Sequence, residues 1–137
     1  MNAMTEKLKS SVSSIMTVSP IKVGMEDPMD VVADMLDAHR LSSVPVVDPI
    51  THECFGIISL TDINHLHALK VNLKTLRAWE ACTYKPIVVP SQVSVEDVAR
   101  LMVDHRVHHI LITEDRKLKG FVSSLDIIAA CMSLPLG

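Results

Sequence analysis

Residues 56–62 read GIISLTD and residues 120–126 read GFVSSLD. Both phrases carry a glycine, an apolar pair, a serine three places after the glycine and an aspartate six places after it. An apolar run that ends in S-x-x-D is the signature of a strand passing directly into a helix. The serine caps the helix, and the aspartate returns a bond to the cap. The chain therefore builds the same strand-to-helix corner twice.

The duplication extends outward from the phrase. A shift of 66 lays Met16-Thr17 on Cys82-Thr83, Val32-Ala33 on Val98-Ala99 and His39-Arg40 on His105-Arg106 without a gap. After these positions the shift falls to 64, because the first copy has the longer loop, eight positions from Asp48 to Gly56 against six from Glu114 to Gly120. Length changes belong in surface turns, which agrees with an internal repeat.

Each copy has the same local pattern. A short apolar strand near Ile21 or Ile87 leads into a helix. Asp27 as N-cap with Pro28 at the first helical position starts one helix, and Ser94 with Asp97 starts the other. Val32, Met35 and Leu36 in the first helix, and Val98, Leu101 and Met102 in the second, recur at helical spacing and predict a buried face. VPVVD (44–48) and HILIT (109–113) read as buried strands, followed by a polar turn and the GIIS or GFVS strand. LTDINHLHALK and SLDIIAACM then read as helices. The organisation is an N-terminal arm over 1–13, a first repeat over 14–69, a linker over 70–79 and a second repeat over 80–133. The arm is expected to be flexible or a short helix without chemistry of its own. Neither copy, at about 50 residues, buries a sheet alone, so the fold class is α+β with two β-α-β-β-α repeats packed about a pseudo-twofold axis.

Composition narrows function. The chain has 137 residues, the size of one domain, and is 48% apolar but only 3% aromatic. A net charge of -3 without a basic run provides no footprint for nucleic acid or an anionic membrane. Cys54, Cys82 and Cys131 are odd in number and lack a CxxC spacing, and the N-terminus lacks the apolar core of a signal peptide. A reduced, cytoplasmic protein without a membrane span is expected. No cysteine has a neighbouring base to make it a nucleophile, so no catalytic residue is assigned and the chain is not read as an enzyme. His105, His108 and His109 are close in sequence, as are His65 and His67, but neither group supplies a zinc ligand set, and no metal is assigned. His39, His52, His65 and His67 are expected on the surface, and Trp79 as an anchor for the linker. Met16, Met25, Met29 and Met35 are expected to fill gaps.

A tandem pair of such units, carrying PVVD and then G-apolar-apolar-S-x-x-D, resembles the cystathionine-β-synthase (CBS) domain pair, the Bateman module. The likeness covers roughly residues 14 to 132. FGIISLTDINHL and RVHHILITE are similar to segments of the nucleotide-sensing gamma subunits of AMP-activated protein kinases. The resemblance implies regulatory binding of an adenosine-containing ligand and dimerisation, with no cofactor required; it does not imply catalysis. The ribose-contacting positions it implies are Ser59, Thr61 and Asp62 in the first copy and Ser123 and Asp126 in the second. The adenine-flanking positions are Thr17 and Val44 for one copy, and Thr83 and Ile110 for the other. The phosphate-contacting pair is His108 and His109, whose counterparts in the first copy are Ser42 and Ser43. Leu125 stands where Thr61 supplies a hydroxyl, and His109 stands where the kinase subunit has an arginine.

The physics of the phrase fits that role. A carboxylate in the first turn of a helix has two oxygens, each able to accept a hydroxyl proton from a vicinal diol such as a ribose. The expected function is binding of an adenine nucleotide, AMP or ADP, by a homodimeric module that signals to a regulated protein in trans. The alternatives are a ligand-free dimerisation module, in which the motif only caps helices, and an S-adenosylmethionine sensor.

Overall fold

The computed structural model describes residues 2–18, 21–84 and 86–134. In chain order the elements are α1 (Ala3–Lys9), β1 (Thr17–Val18), β2 (Val23–Gly24), α2 (Met29–Ala38), β3 (Ser43–Val47), β4 (Cys54–Ser59) and α3 (Leu60–Ala68). They continue with α4 (Ala78–Ala81), β5 (Thr83–Tyr84), β6 (Val88–Val89), α5 (Val95–His105), β7 (His109–Glu114), β8 (Lys117–Ser123) and α6 (Ser124–Cys131). The repeated strand-helix-strand-strand-helix pattern is present in both copies.

The contacts divide the chain differently from a simple cut between repeats. One compact unit is Ile21–Pro86, and the other joins Met1–Pro20 to Ile87–Gly137. In the first, the strand order is β2-β3-β4-β5. In the second it is β1-β8-β7-β6, so each sheet ends on the short strand that precedes the other copy's sequence. Within each unit one pair is parallel, β2 with β3 or β6 with β7, and the long connection it requires is the helix α2 or α5. The remaining pairs are antiparallel.

The repeat reaches fine detail. The ladder is irregular between Val46 and Val47 in one unit and between Ile112 and Thr113 in the other, 66 residues on. Arg40 and Arg106 both leave their helices at positive φ, 54° and 55°. The loop-length difference also has a local cause. β7 and β8 are joined by Asp115 and Arg116, both at positive φ as a two-residue hairpin requires. The longer first-copy turn is held by Asp48, whose Oδ1 accepts from the backbone N–H groups of Ile50 and Thr51.

The cores follow the expected helical faces. Met29, Val32 and Leu36 of α2 pack with Val44, Val46 and Ile58, while Met35 is only partly buried. Val95, Val98 and Met102 of α5 pack with Ile110, Ile112 and Val122, while Leu101 is partly buried. The start of α2 differs from expectation. Its cap position is Pro28, with no side-chain cap, and Asp27 instead accepts from the Gly24 N–H at 2.8 Å. The carboxylate closes the turn before the helix rather than the helix itself. Ser94 does cap α5, accepting from Asp97 N–H at 3.1 Å.

The arm, expected to be flexible or a short helix, and the linker, expected to be anchored by Trp79, each supply a buried residue. Val12 is fully buried, and its N–H donates to the Val93 carbonyl at 2.7 Å. In the other unit Ala78, 66 residues later, is fully buried and donates to the Asp27 carbonyl at 2.9 Å. Isolated bridges join Ser11 to Ser94 and Pro28 to Arg77, again one repeat apart. The arm and the linker are thus the same repeated element, a plug under each parallel-strand turn. Trp79 joins this element through its backbone N–H to the Met25 carbonyl and is 39% exposed. α1 packs on α5 and α6. Among the described residues no helix is long and apolar enough to cross a membrane.

Candidate functional site

Both corners form complete capping boxes. Ser59 Oγ accepts from Asp62 N–H at 3.2 Å, and Asp62 Oδ2 accepts from Ser59 N–H at 2.9 Å. Ser123 Oγ accepts from Asp126 N–H at 3.1 Å, and Asp126 Oδ2 accepts from Ser123 N–H at 2.7 Å. Capping accounts for the serine and for one carboxylate oxygen. The second oxygen, Oδ1, of either aspartate makes no hydrogen bond among the described residues. Each aspartate is therefore held rigidly by one oxygen and can still accept from a ligand with the other.

Gly56 and Gly120 have a role that the phrase did not disclose. A Cβ on Gly56 would stand 2.6 Å from the Thr83 carbonyl oxygen and 2.7 Å from Cys82 Sγ. A Cβ on Gly120 would meet Met16 Sδ and Cγ, with the Thr17 carbonyl oxygen at 3.2 Å. Each glycine thus admits the incoming edge strand of its sheet.

This strand exchange regroups the predicted site residues. Thr17 pairs with Phe121 and so belongs with Ser123 and Asp126, while Thr83 pairs with Ile57 and so belongs with Ser59 and Asp62. Both threonines are exposed. Val44 and Ile110 are fully buried in the two cores, so their side chains do not flank a ligand. The cause is strand alternation, which turns them towards the helices together with Ile58 and Val122, their ladder partners. Thr61 is exposed, and its counterpart Leu125 is 66% exposed.

The two histidines separate. His108 is exposed, whereas His109 is partly buried and stacks on Phe121, the ring centroids 5.1 Å apart and the planes at 21°. Burial pulls the His109 imidazole below its ordinary range; nearby His108 acts in the same direction and Asp126 opposes both. His109 pairs across the ladder with Ser123, the cap residue that Asp126 holds. His108 shares a surface recess with Arg106, Val103 and Ser124.

Ser43, the first-copy counterpart of His109, was not singled out as a functional group by its type. It stands directly across the ladder from Ser59, is only 4% exposed, and its Oγ is buried without a hydrogen-bond partner. A buried hydroxyl in that state is uncommon and requires an explanation. The signal for it in the sequence is its place in the ladder relative to GIISLTD, which only the repeat alignment provides.

Two of the cysteines, Cys54 and Cys82, are held in the thiol form. Burial pushes the Cys54 thiol up to about 11, and burial also raises Cys82, helped by the nearby Asp62 charge. His39, His52, His65 and His67 are exposed. No cluster of His, Cys, Asp or Glu among the described residues is arranged to hold a metal ion.

The family model for the CBS domain matches residues 12–68 and 78–133. The chain is 28% identical over 116 residues to the inosine-5'-monophosphate dehydrogenase of Halobacterium salinarum, covering 84% of this chain but only 21% of that enzyme. Its structure is similar to the CBS domain of a bacterial CNNM/CorC family Mg2+ transporter solved in complex with ATP, with a TM-score of 0.85, 19% identity, and 97% and 94% of the two chains covered. It is likewise similar to CBSX2 solved in complex with AMP, with a TM-score of 0.79, 23% identity, and 90% and 97% coverage. At these identities the structural likeness establishes the fold.

Proposed function

Since the chain belongs to the CBS-domain family, we propose that it is a regulatory module that binds an adenine nucleotide, AMP or ADP, and signals to another protein. The observation that carries this reading is Asp62. Its Oδ2 is fixed by the cap at 2.9 Å, and its Oδ1 is unspent. A diol hydroxyl donating to that oxygen would form a charge-assisted hydrogen bond with little ordering cost on the protein side. Ser59 and Thr61 complete the ribose position, and Thr83 lies nearest for the base. Asp126, Ser123 and Thr17 form the corresponding set in the second copy. The complexes of the CNNM/CorC domain with ATP and of CBSX2 with AMP support the ligand class. The regulated protein acts in trans, in the cytoplasm, and catalysis is not part of this role.

Calorimetry or thermal shift with AMP, ADP, ATP, NAD and S-adenosylmethionine tests the proposal. A ligand specific to the native state raises stability by about 2.7 kcal/mol at a hundredfold excess over its Kd. Asp62→Asn is expected to weaken the responding nucleotide by about 1.5–3 kcal/mol. Unchanged affinity in that variant removes Asp62 from the site, and a response to S-adenosylmethionine alone replaces the nucleotide with a methyl-donor sensor.

One observation favours a second reading, an interaction module without a ligand. Leu125 and Ile128 on α6 and Met132 at its C-terminal cap lie at helical spacing and are 66%, 52% and 64% exposed. Such a stripe suits the contact face of a homodimer. Silence from every adenosyl compound at millimolar concentration, together with a dimer dissociated by Ile128→Glu, would support that alternative.

A further inference from the structure

The two copies share their fold but differ at the ladder end that carries the motif. In the unit Ile21–Pro86, Ser43 faces Ser59, and Ile57 precedes Ser59 by two residues on β4. In the other unit the same places are taken by His109, Ser123 and Phe121. Residues two apart on a strand share a face, so His109 and Phe121 lie on the side of the sheet opposite Ile110, Ile112 and Val122. There the imidazole and phenyl rings stack, and His109 stands across the ladder from Ser123, whose N–H is held by Asp126.

The first copy has no counterpart of this stack. In its place stands a hydroxyl, Ser43 Oγ, buried and without a partner among the described residues, while Asp62 and Asp126 each keep one unbonded oxygen. The two motifs therefore differ in what stands across the ladder from the cap serine, a small unpartnered hydroxyl in one and an aromatic nitrogen ring in the other. A neutral imidazole on a phenyl face presents a flat π-surface and N–H chemistry, the features a purine would bring.

The geometry points to His109 as an internal plug: stacked on Phe121 and across the ladder from Ser123, it stands in for a ligand at the second-copy motif, so the chain takes one adenine nucleotide, at Asp62, rather than two. This inference rests on the nucleotide reading above, and it makes His109 a blocking residue rather than a phosphate contact. The repeat also indicates how to remove the plug, by restoring the first-copy residues in the double variant His109→Ser with Phe121→Ile.

Titration calorimetry of the full chain with AMP tests the inference. The wild type is expected to bind one equivalent. Asp62→Asn should lower the affinity about tenfold or more, the scale of one charge-assisted hydrogen bond. Asp126→Asn should leave it within about twofold, inside the usual independence of separate sites. The double variant should bind two equivalents. Two equivalents in the wild type, or one in the double variant, overturn the plug while leaving nucleotide binding intact. No AMP binding by either protein overturns the site and the reading it rests on together. The stack has its own readout without nucleotide: the His109 ring protons should show a ring-current displacement in NMR spectra that collapses in Phe121→Ile. His109 resonances indifferent to that substitution overturn the plug whatever AMP does.

Discussion

Gly56 lies directly beneath the backbone of Thr83, so close that a Cβ would stand 2.6 Å from the Thr83 carbonyl oxygen. The first glycine of GIISLTD is there because an edge strand from the other end of the repeat must pass over it. Gly56→Ala is expected to destabilise the protein by about 1–3 kcal/mol, the cost of forcing a methyl into packed structure. Gly120→Ala should cost less, because its nearest neighbour is the flexible end of Met16. Urea midpoints for the two variants check this order, and a Gly56→Ala midpoint equal to that of the wild type would refute it.

Val12 provides a test of the N-terminal segment. A flexible arm would tolerate Val12→Ala without effect. Val12 is fully buried within the second-copy core, and its replacement should cost about 1.5–3 kcal/mol. Removal of residues 1–12 should be at least as damaging. Thermal unfolding measures both.

Cap and ligand roles separate by substitution. Ser59→Ala removes the oxygen that accepts from Asp62 N–H and should lower stability by about 1 kcal/mol. Asp62→Asn keeps a carbonyl oxygen able to accept from Ser59 N–H, so its stability should change little even as nucleotide affinity falls. Chemical unfolding without ligand, compared with calorimetry in its presence, resolves the two effects.

His109 makes stability depend on pH in a definite direction. Burial, chiefly, holds its folded pKa below the ordinary 6.5, so the unfolded chain takes up the proton first as pH falls. The unfolded state then binds more protons, and stability declines as pH drops below about 6.5 towards the folded value. His109→Gln should flatten that part of the profile. Urea midpoints between about pH 5 and pH 8 provide the comparison, and identical slopes for the two proteins would refute the assignment.

GIISLTD and GFVSSLD disclose the corner, the cap and the repeat by themselves, because capping and strand alternation are local and leave a fixed spacing in the chain. Helix faces are legible for the same reason, as Val32, Leu36, Val98 and Met102 show. Asp27 misled because a carboxylate three residues from a backbone N–H can close a turn as readily as cap a helix, and only the path of the chain decides between them.

What the sequence determined alone was the α+β repeat and the chemistry of its motif. Which of the motif residues stand together was decided by tertiary structure, since β1 and β5 each leave their own copy to complete the other sheet. That exchange groups Thr83 with Asp62 and Thr17 with Asp126, turns Val44 and Ile110 into core, and sets His109 against Phe121. Pairing between strands so far apart in the chain depends on hydrogen bonds and packing that no local spacing encodes. A repeat thus specifies what each copy is made of, and only folding selects the strand that completes it.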